Sequence, residues 1–437
     1  MSKDKLIPKL RFPEFAEDGE WVFESLDEVY EFKITNSFSR DKLNYGKGEV
    51  KNIHYGDIHT KFSTLFDLTN ENVPYINPDV SIENIDIGNY CQVGDVIFAD
   101  ASEDVEDIGK SIEIVNLNNE KVLSGLHTFL VRQIDSKLIV GFGGYLFKSD
   151  SIRKQIKRES QGAKVLGISK GRISGIKVFY PKNKPEQQKI ASCLSSLDEV
   201  IAAHSQKLEL FKDHKKGLMQ NLFPQEGEKV PKYRFKEFVK DGEWVEKPLV
   251  DICKLVRGPF GGALKKEIFV KEGYAVYEQS HAIYSDFSSF RYFIDDDKFN
   301  ELKRFSVKTG DLIMSCSGTM GKFAIIPDNN EAGVINQALL KLTVKKGFDK
   351  FFIKMTLEAD NNQEKLLSQS AGGAIKNVVS VSQIKELPLM IPSLQEQQKI
   401  ASCLSSLDAL ITAQAEKIEQ LQQHKKGLMQ GLFPKIV

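Results

Sequence analysis

Cysteine is scarce and scattered. The five cysteines, Cys91, Cys193, Cys253, Cys316 and Cys403, are odd in number and none stands in a Cys-x-x-Cys pair. That spacing excludes a disulfide framework and a cysteine-built zinc site. No stretch reaches the roughly 18 consecutive apolar residues of a membrane-crossing helix. The opening Met-Ser-Lys-Asp-Lys-Leu-Ile-Pro lacks the apolar core of a signal peptide, so a cytoplasmic address is expected. Net charge is missing too: 60 basic and 60 acidic residues cancel, whereas a free-standing nucleic-acid binder is usually basic. No Ser-His-Asp or paired-carboxylate arrangement is recognisable. What remains is a globular composition, 41% hydrophobic and 27% charged over 437 residues, which at ~100–200 residues per domain means two to four domains.

The charge that cancels overall is unevenly placed. Between Asp79 and Asp107 stand nine acids (Asp79, Glu83, Asp86, Asp95, Asp100, Glu103, Asp104, Glu106 and Asp107) and no Lys or Arg. Between Lys148 and Lys184 stand eleven bases against Asp150 and Glu159, a local +9. Such a surplus attracts phosphate even on a neutral chain, although a solvated basic face gives the same count.

One 13-residue stretch occurs twice. Glu-Gln-Gln-Lys-Ile-Ala-Ser-Cys-Leu-Ser-Ser-Leu-Asp fills Glu186–Asp198 and Glu396–Asp408, and His-Lys-Lys-Gly-Leu-Met-Gln fills His214–Gln220 and His424–Gln430, both at an offset of 210. The repeat extends outward. Pro8-Lys-Leu-Arg-Phe with Asp18-Gly-Glu-Trp21 answers Pro231-Lys-Tyr-Arg-Phe with Asp241-Gly-Glu-Trp244 at offset 223, and Gly94-Asp-Val-Ile-Phe98 answers Gly310-Asp-Leu-Ile-Met314 at 216. The shrinking offset places about a dozen lost residues inside the second globular part. The order is globule, helix, globule, helix, with segments at 1–182, 183–224, 225–392 and 393–437. A period this long is a duplicated domain pair, not a solenoid, and two copies argue for a pseudo-two-fold particle.

Within the first long segment, Ile190, Leu194, Leu197, Ile201, Leu208, Phe211, Leu218 and Leu222 follow a 4-3 spacing interrupted at His204 and Lys215. The second copy has Ile400, Leu404, Leu407, Ile411, Ile418, Leu421, Leu428 and Leu432, interrupted at Gln414 and Lys425. Five heptads of this kind make a coiled-coil seam, and about 40 residues give a helix of ~60 Å. Cys193 and Cys403 read as small buried hydrophobes on it. Antiparallel intramolecular pairing is the simplest arrangement, because a globule must fit between the helices along the chain. Ordinary core packing explains one amphipathic helix. Two seams with identical flanking residues (Glu186, Gln187, Gln188, Lys189 and Glu396, Gln397, Gln398, Lys399) point to docking of the same partner twice. The globules read as mixed α and β with short strands after Gly-Asp turns. The fold class is therefore α+β: two mixed α/β globular domains separated by two long helices pairing as an antiparallel coiled coil.

These residues carry a resemblance. The Glu-Gln-Gln-Lys-Ile-Ala helix openings after Pro181 and Pro392, the Lys-Lys-Gly-Leu-Met-Gln-x-Leu-Phe closings, the Phe-x-x-Phe…Gly-Glu-Trp leaders and Ser317-Gly-Thr-Met-Gly-Lys322 resemble the specificity subunit of type I restriction-modification enzymes. The resemblance spans essentially the whole chain. It implies a chain that catalyses nothing itself, in which each globule is a target recognition domain reading one half of a split double-stranded DNA site. It implies helices that set the spacing and dock two methyltransferase subunits, with two motor-nuclease subunits completing the complex. No cofactor is implied on this chain; S-adenosylmethionine, ATP and Mg are expected on the partners. The first globule departs from the family pattern, carrying the acidic Ala101-Ser-Glu-Asp-Val-Glu-Asp-Ile-Gly-Lys110 where the second has the Ser-Gly-x-x-Gly-Lys loop. Those acids face either solvent or a methyltransferase.

Base readout needs donors and acceptors on exposed loops, and phosphates need Lys, Arg, hydroxyls and free amides. The candidates in the first globule are Arg40, His54, Tyr55, Gly56, Asp57, His59, Thr60, Lys61, Lys164 and Lys170. In the second they are Arg257, Gly261, Lys265, Gln279, Ser280, His281, Tyr284, Arg291, Arg304 and Lys376. A plain surface role is at least as common for any one of them. Three tempting motifs fail. His54 and His59, five apart, share no helical face for a metal. Gly109-Lys110-Ser111 imitates a phosphate loop, but its first glycine would be Asp104, whose charge repels phosphate. Asn72-Val-Pro-Tyr75 approximates an adenine-methyltransferase signature with Val73 in place of proline and no glycine-rich cofactor turn beside it. The alternatives to a DNA reader are a coiled-coil assembly scaffold with two protein-binding domains, or a self-contained DNA methyltransferase. Steep salt dependence of binding separates DNA from protein partners.

Overall fold

The computed structural model of the chain describes residues 6–162, 164–260, 262–368 and 381–435. Two compact units form: Met1–Ser205 with Glu416–Val437, and Gln206–Ala415. The long helices, Lys184–Leu222 and Leu394–Leu432, have 39 residues each. Each unit thus takes the opening of one long helix and the closing of the other.

In the first unit a five-stranded sheet runs in the order Tyr30–Lys33, Thr128–Gln133, Val96–Ala99, Ser111–Asn116, Leu65–Asp67. A second sheet orders Lys121–Ser124, Val50–Ile53, Tyr75–Ile76 and Leu43–Asn44. The second unit repeats this frame with fewer strands. Cys253–Arg257, Leu339–Val344, Leu312–Ser315 and Phe323–Ile325 form one sheet, and Phe293–Ile294, Tyr274–Tyr277 and Gly333–Ile335 the other. In each unit a parallel pair recurs, Val50–Ile53 with Lys121–Ser124 and Tyr274–Tyr277 with Gly333–Ile335.

The Gly-Asp turns explain their own repetition. Gly94 and Gly310 have φ of 91° and 83°, a left-handed backbone that glycine adopts without a Cβ clash. Asp95 then accepts from the Gln92 N–H and Asp311 from the Lys308 N–H, closing each turn. The other oxygen of each carboxylate reaches the neighbouring strand, to Arg132 in one unit and Thr343 in the other. The acidic connection is four residues longer in the first unit, since Phe98 faces Ser111 across its hairpin whereas Met314 faces Phe323.

Burial follows the 4-3 series along both long helices. Ile190, Leu194, Leu222, Ile400, Leu404, Leu407 and Leu432 are buried, and the remaining seam positions, Lys215 and Lys425 included, are less exposed than their outward neighbours. In the first unit Ile190 and Leu194 share a core with Leu428, Leu432 and Phe433, and Lys425 pairs with Asp198. In the second, Leu218, Leu222 and Phe223 share a core with Ile400 and Leu404, and Lys215 meets Asp408 at 2.5 Å. The helix ends therefore run antiparallel within each unit. Both lysine interruptions are ion-paired there, which fits polar seam residues that fix register.

Cys193 and Cys403 are half-buried, a correction to their reading as buried hydrophobes. Cys91, Cys253 and Cys316 are the buried ones. Burial pushes the Cys253 thiol up to about 12 and that of Cys316 to about 11, so neither offers a thiolate near neutrality.

Candidate nucleic-acid interface

Each long helix is fastened to its unit by the first residues of the repeated stretch. Glu186 accepts from Arg11 Nε and Nη2, both at 2.8 Å, while Arg11 Nη1 donates to the Gly19 carbonyl. Arg234 binds Glu396 in the same way at 2.8 and 2.7 Å and donates to the Gly242 carbonyl. Gln187 Oε1 accepts from the Ile139 N–H and its amide donates to Lys137 and Pro181 carbonyls; Gln397 does the same with Asp349 and Pro392. Glu186, Gln187, Glu396 and Gln397 are buried in these contacts. They cannot form a partner-docking surface, which corrects the sequence reading. Gln188, Lys189, Gln398 and Lys399 are exposed, although Lys189 also pairs with Glu14 and Lys399 with Glu237, each at 3.2 Å.

In both units the strand before the candidate loop ends in a six-residue helix, Tyr55–Thr60 and Gln279–Tyr284. Several candidates on these helices turn inward. His54 is buried and its Nδ1 accepts from the Gly56 N–H, capping the helix; burial lowers its pKa, in keeping with a neutral accepting ring. Asp57 is buried between Arg40 and Lys61, at 2.7 and 2.9 Å. Burial alone would raise this carboxyl, but the two cations outweigh it and hold the pKa below the usual value. His281 is buried, bonded to Glu278 and Ser289 and stacked with Phe287 and Phe290. His54, Asp57 and His281 are thus fold residues, and their candidacy as DNA contacts is withdrawn.

The rest remain at or near the surface. Tyr55, Gly56 and His59 are half-buried, and His59 Nε2 bonds the Ala101 carbonyl at 3.0 Å. Thr60, Lys61, Lys164, Lys170, Lys265, Ser280, Tyr284, Arg291 and Arg304 are exposed, with Lys170 over the Phe32 ring. Arg257 is half-buried, with its Nη1 enclosed and unpartnered. Gln279 accepts from Ser317 Oγ at 3.0 Å and donates to the Thr319 carbonyl at 3.3 Å, tying the helix to the Ser-Gly-x-x-Gly-Lys loop. Gly261 and Lys376 lie outside the described residues. A cleft of about 510 Å³ opens beside Gln279, lined by Glu278, Ser280, Arg291, Asn336 and Ala338 among others.

Part of the basic surplus of 148–184 is engaged internally. Lys148 bonds Thr64, Arg153 bonds the Glu106 and Ile108 carbonyls, Lys157 pairs with Glu106, and Arg158 and Arg172 pair with Glu159. The acidic loop is accordingly held by its own chain at Glu106 and Asp107, the latter paired with Lys110 at 3.5 Å. Lys154, Lys164, Lys170, Lys177 and Lys182 stay exposed. Among the described residues no group of three or more His, Cys, Asp or Glu is placed to hold a metal ion. No helix among them is long and apolar enough to cross a membrane.

A duplicated α/β frame of this kind, each copy closed by the opening of one long helix and the closing of the other, defines a class of internally repeated two-domain proteins. The family model for the type I restriction modification DNA specificity domain matches residues 18–211 and again 241–423. The chain belongs to that family, and its place there is that of the non-catalytic specificity subunit of a type I restriction-modification system. Over 99% of its length it is 24% identical to a Methanocaldococcus jannaschii chain provisionally named the type I restriction enzyme MjaX specificity subunit, covering 96% of that chain. The MjaVIII specificity subunit of the same organism is 25% identical over 66% of this chain and 69% of its own. The fold matches the S subunit of a type I restriction-modification system from M. genitalium with a TM-score of 0.57, at 15% identity and covering 98% and 100% of the two chains.

Proposed function

We propose that each unit reads one half of a bipartite double-stranded DNA site, and that the long helices fix the spacing of the halves and dock two methyltransferase subunits. Two motor-nuclease subunits complete the restriction enzyme. S-adenosylmethionine, ATP and Mg belong to those partners, and the complex works on DNA in the cytoplasm. The observation that carries this reading is one backbone frame present twice with different side chains at its loop ends, on helices whose exposed residues repeat (Gln188, Ser192 and Ser196 against Gln398, Ser402 and Ser406). Repeated outer faces suit identical partners, and divergent loops suit an asymmetric target. Half-sites on one face of B-DNA lie ~34–36 Å apart per turn, so stiff helices translate length into spacing. A methyltransferase that flips its target base also gains from a reader gripping both sides.

The test is methylome sequencing of cells expressing this chain with its cognate methyltransferase. Exchanging the first recognition domain for that of another family member is expected to change one half of the methylated motif only; a change in both halves refutes modular reading. Removing one heptad, ~10 Å of helix, from one long helix is expected to abolish assembly or shift the half-site gap by about three base pairs. Unchanged spacing at full activity refutes the spacer role.

A further inference from the structure

The two units share backbone hydrogen bonds around their loop ends. Gly125 N–H donates to the Ile53 carbonyl at 2.8 Å, as Asn336 N–H does to Tyr277 at 3.0 Å. Asp100 N–H donates to the His127 carbonyl at 3.0 Å, as Cys316 N–H does to Ala338 at 2.8 Å. With the strand registers, these bonds match Tyr55 to Gln279, Asp100 to Cys316 and His127 to Ala338. These backbone hydrogen bonds are kept while the side chains at the mouth are replaced, and at the matched pair His127 has positive φ whereas Ala338 does not. A pair of readers with different targets needs that pattern.

In the first unit the replaced position holds a poised group. His127 is exposed, and its Nδ1 lies 3.1 Å from Asp100 Oδ1. A carboxylate at Nδ1 favours the tautomer protonated there, which leaves Nε2 as the ring nitrogen free to accept. The Tyr55 and His127 rings make a T-shaped contact, their centroids 5.3 Å apart at 75°. His127 also has φ of 56°, a left-handed backbone that a non-glycine residue keeps only where its surroundings over-determine it. The exposed side-chain hydrogen bond to Asp100 adds little to stability, whereas the His127 carbonyl accepts the Asp100 N–H at 3.0 Å. Nearby, the hairpin that carries exposed Lys164 is anchored at Asp100 through the Ile168 N–H, 2.9 Å; in the acidic loop Glu106 and Asp107 are paired with Lys157 and Lys110, while Glu103 and Asp104 stay exposed.

We propose that His127, oriented by Asp100 and Tyr55, is a specificity-determining residue of the first unit, its imidazole Nε2 contacting a base edge of that half-site. Ala338 stands at the matching position of the second unit, where the cleft between Gln279 and Arg291 takes over the contact. This rests on the reading of the chain as a DNA-specificity subunit. The test assembles the full chain with its cognate methyltransferase and measures methylation of the cognate site against sites altered one base pair at a time. H127A and H127N are compared with the unaltered chain, since asparagine accepts the left-handed backbone. Discrimination at one base pair of the first half-site is expected to fall about tenfold, within the range for losing a single base contact, with the second half-site and the melting temperature unmoved. D100N is expected to weaken discrimination at the same base pair by less. If both His127 variants keep the full discrimination, or weaken cognate and altered sites equally, the assignment is wrong. Should the unaltered complex show no sequence preference at all, the specificity-subunit reading falls with it; preference intact with inert variants sinks His127 alone.

Discussion

Replacing Glu186 with alanine is expected to lower the melting temperature of the first unit by roughly 10 °C, the consequence of about 3–5 kcal/mol. The Arg11 and Glu186 side chains retain 9% and 1% exposure, so truncating the acid leaves a guanidinium enclosed with one carbonyl, that of Gly19, for company. The cost is that of an unpaired buried charge, and it exceeds what the pair contributes net. Two controls separate these quantities. The double variant R11M/E186L, which replaces the pair with apolar groups of similar size, is expected to recover most of the loss. The E396A substitution, which strands Arg234 in the second unit, is expected to leave the first transition where it was. The chain supplies its own reporters, because its two tryptophans lie one in each unit. Trp21 Nε1 reaches Glu186 at 3.3 Å, and Trp244 makes T-shaped contacts with Phe223 and Phe352. A W244F background makes fluorescence report the first unit alone. An unchanged Trp21 transition in E186A would show that the helix foot bears no load.

The same residues show where sequence reasoning stops. Prolines ahead of each helix and the 4-3 spacing made the two long helices and their buried stripe legible, because periodicity registers which face a helix hides. Glu186 and Gln187 were misread for a specific reason. An identical stretch present twice can serve the same partner outside or the same foothold inside, and polarity alone favours the outside. The correcting signal was available: Pro-Lys-x-Arg-Phe recurs with the helix openings, and a repeated arginine is the natural counterion of a repeated buried glutamate. The Gly-Asp turns were legible because glycine's left-handed backbone and aspartate's turn-closing carboxylate are local requirements. His127 was invisible for the opposite reason. Its partner Asp100 is 27 residues away, and its repeat counterpart is an alanine. The basic surplus of 148–184 overstated the charge available to DNA, since counting cannot see Lys148, Arg153 and Lys157 turned toward Thr64 and the acidic loop.

A second large effect belongs to pH. Glu113 is fully buried in the first unit, facing Val96 across the sheet; Ile325 faces Leu312 at the matching place in the second. Burial pushes the Glu113 carboxyl from 4.5 up to about 7, against the opposing pull of the Gly144 and Gly141 N–H groups. The folded chain therefore holds a proton on this residue that the unfolded chain releases above its ordinary pKa. Stability is greatest below about pH 4.5 as far as this group is concerned, falls as pH rises, and levels off above about pH 7. A shift of this size amounts to about 3 kcal/mol. E113Q carries an uncharged amide of the same shape and is expected to be more stable than the unaltered chain by up to about 3 kcal/mol at pH 8, with the advantage gone near pH 4.5. Lys148, lowered by burial to about 8, works in a separate window: its folded pKa is depressed, so its contribution rises with pH between about 8 and its ordinary value, and comparing E113Q with the parent cancels it. Denaturant unfolding in the W244F background at pH 5, 6, 7 and 8 measures the difference directly. A difference that does not change with pH would mean that Glu113 is ionised in the folded chain, and that a second group, unseen at this carboxylate, neutralises it.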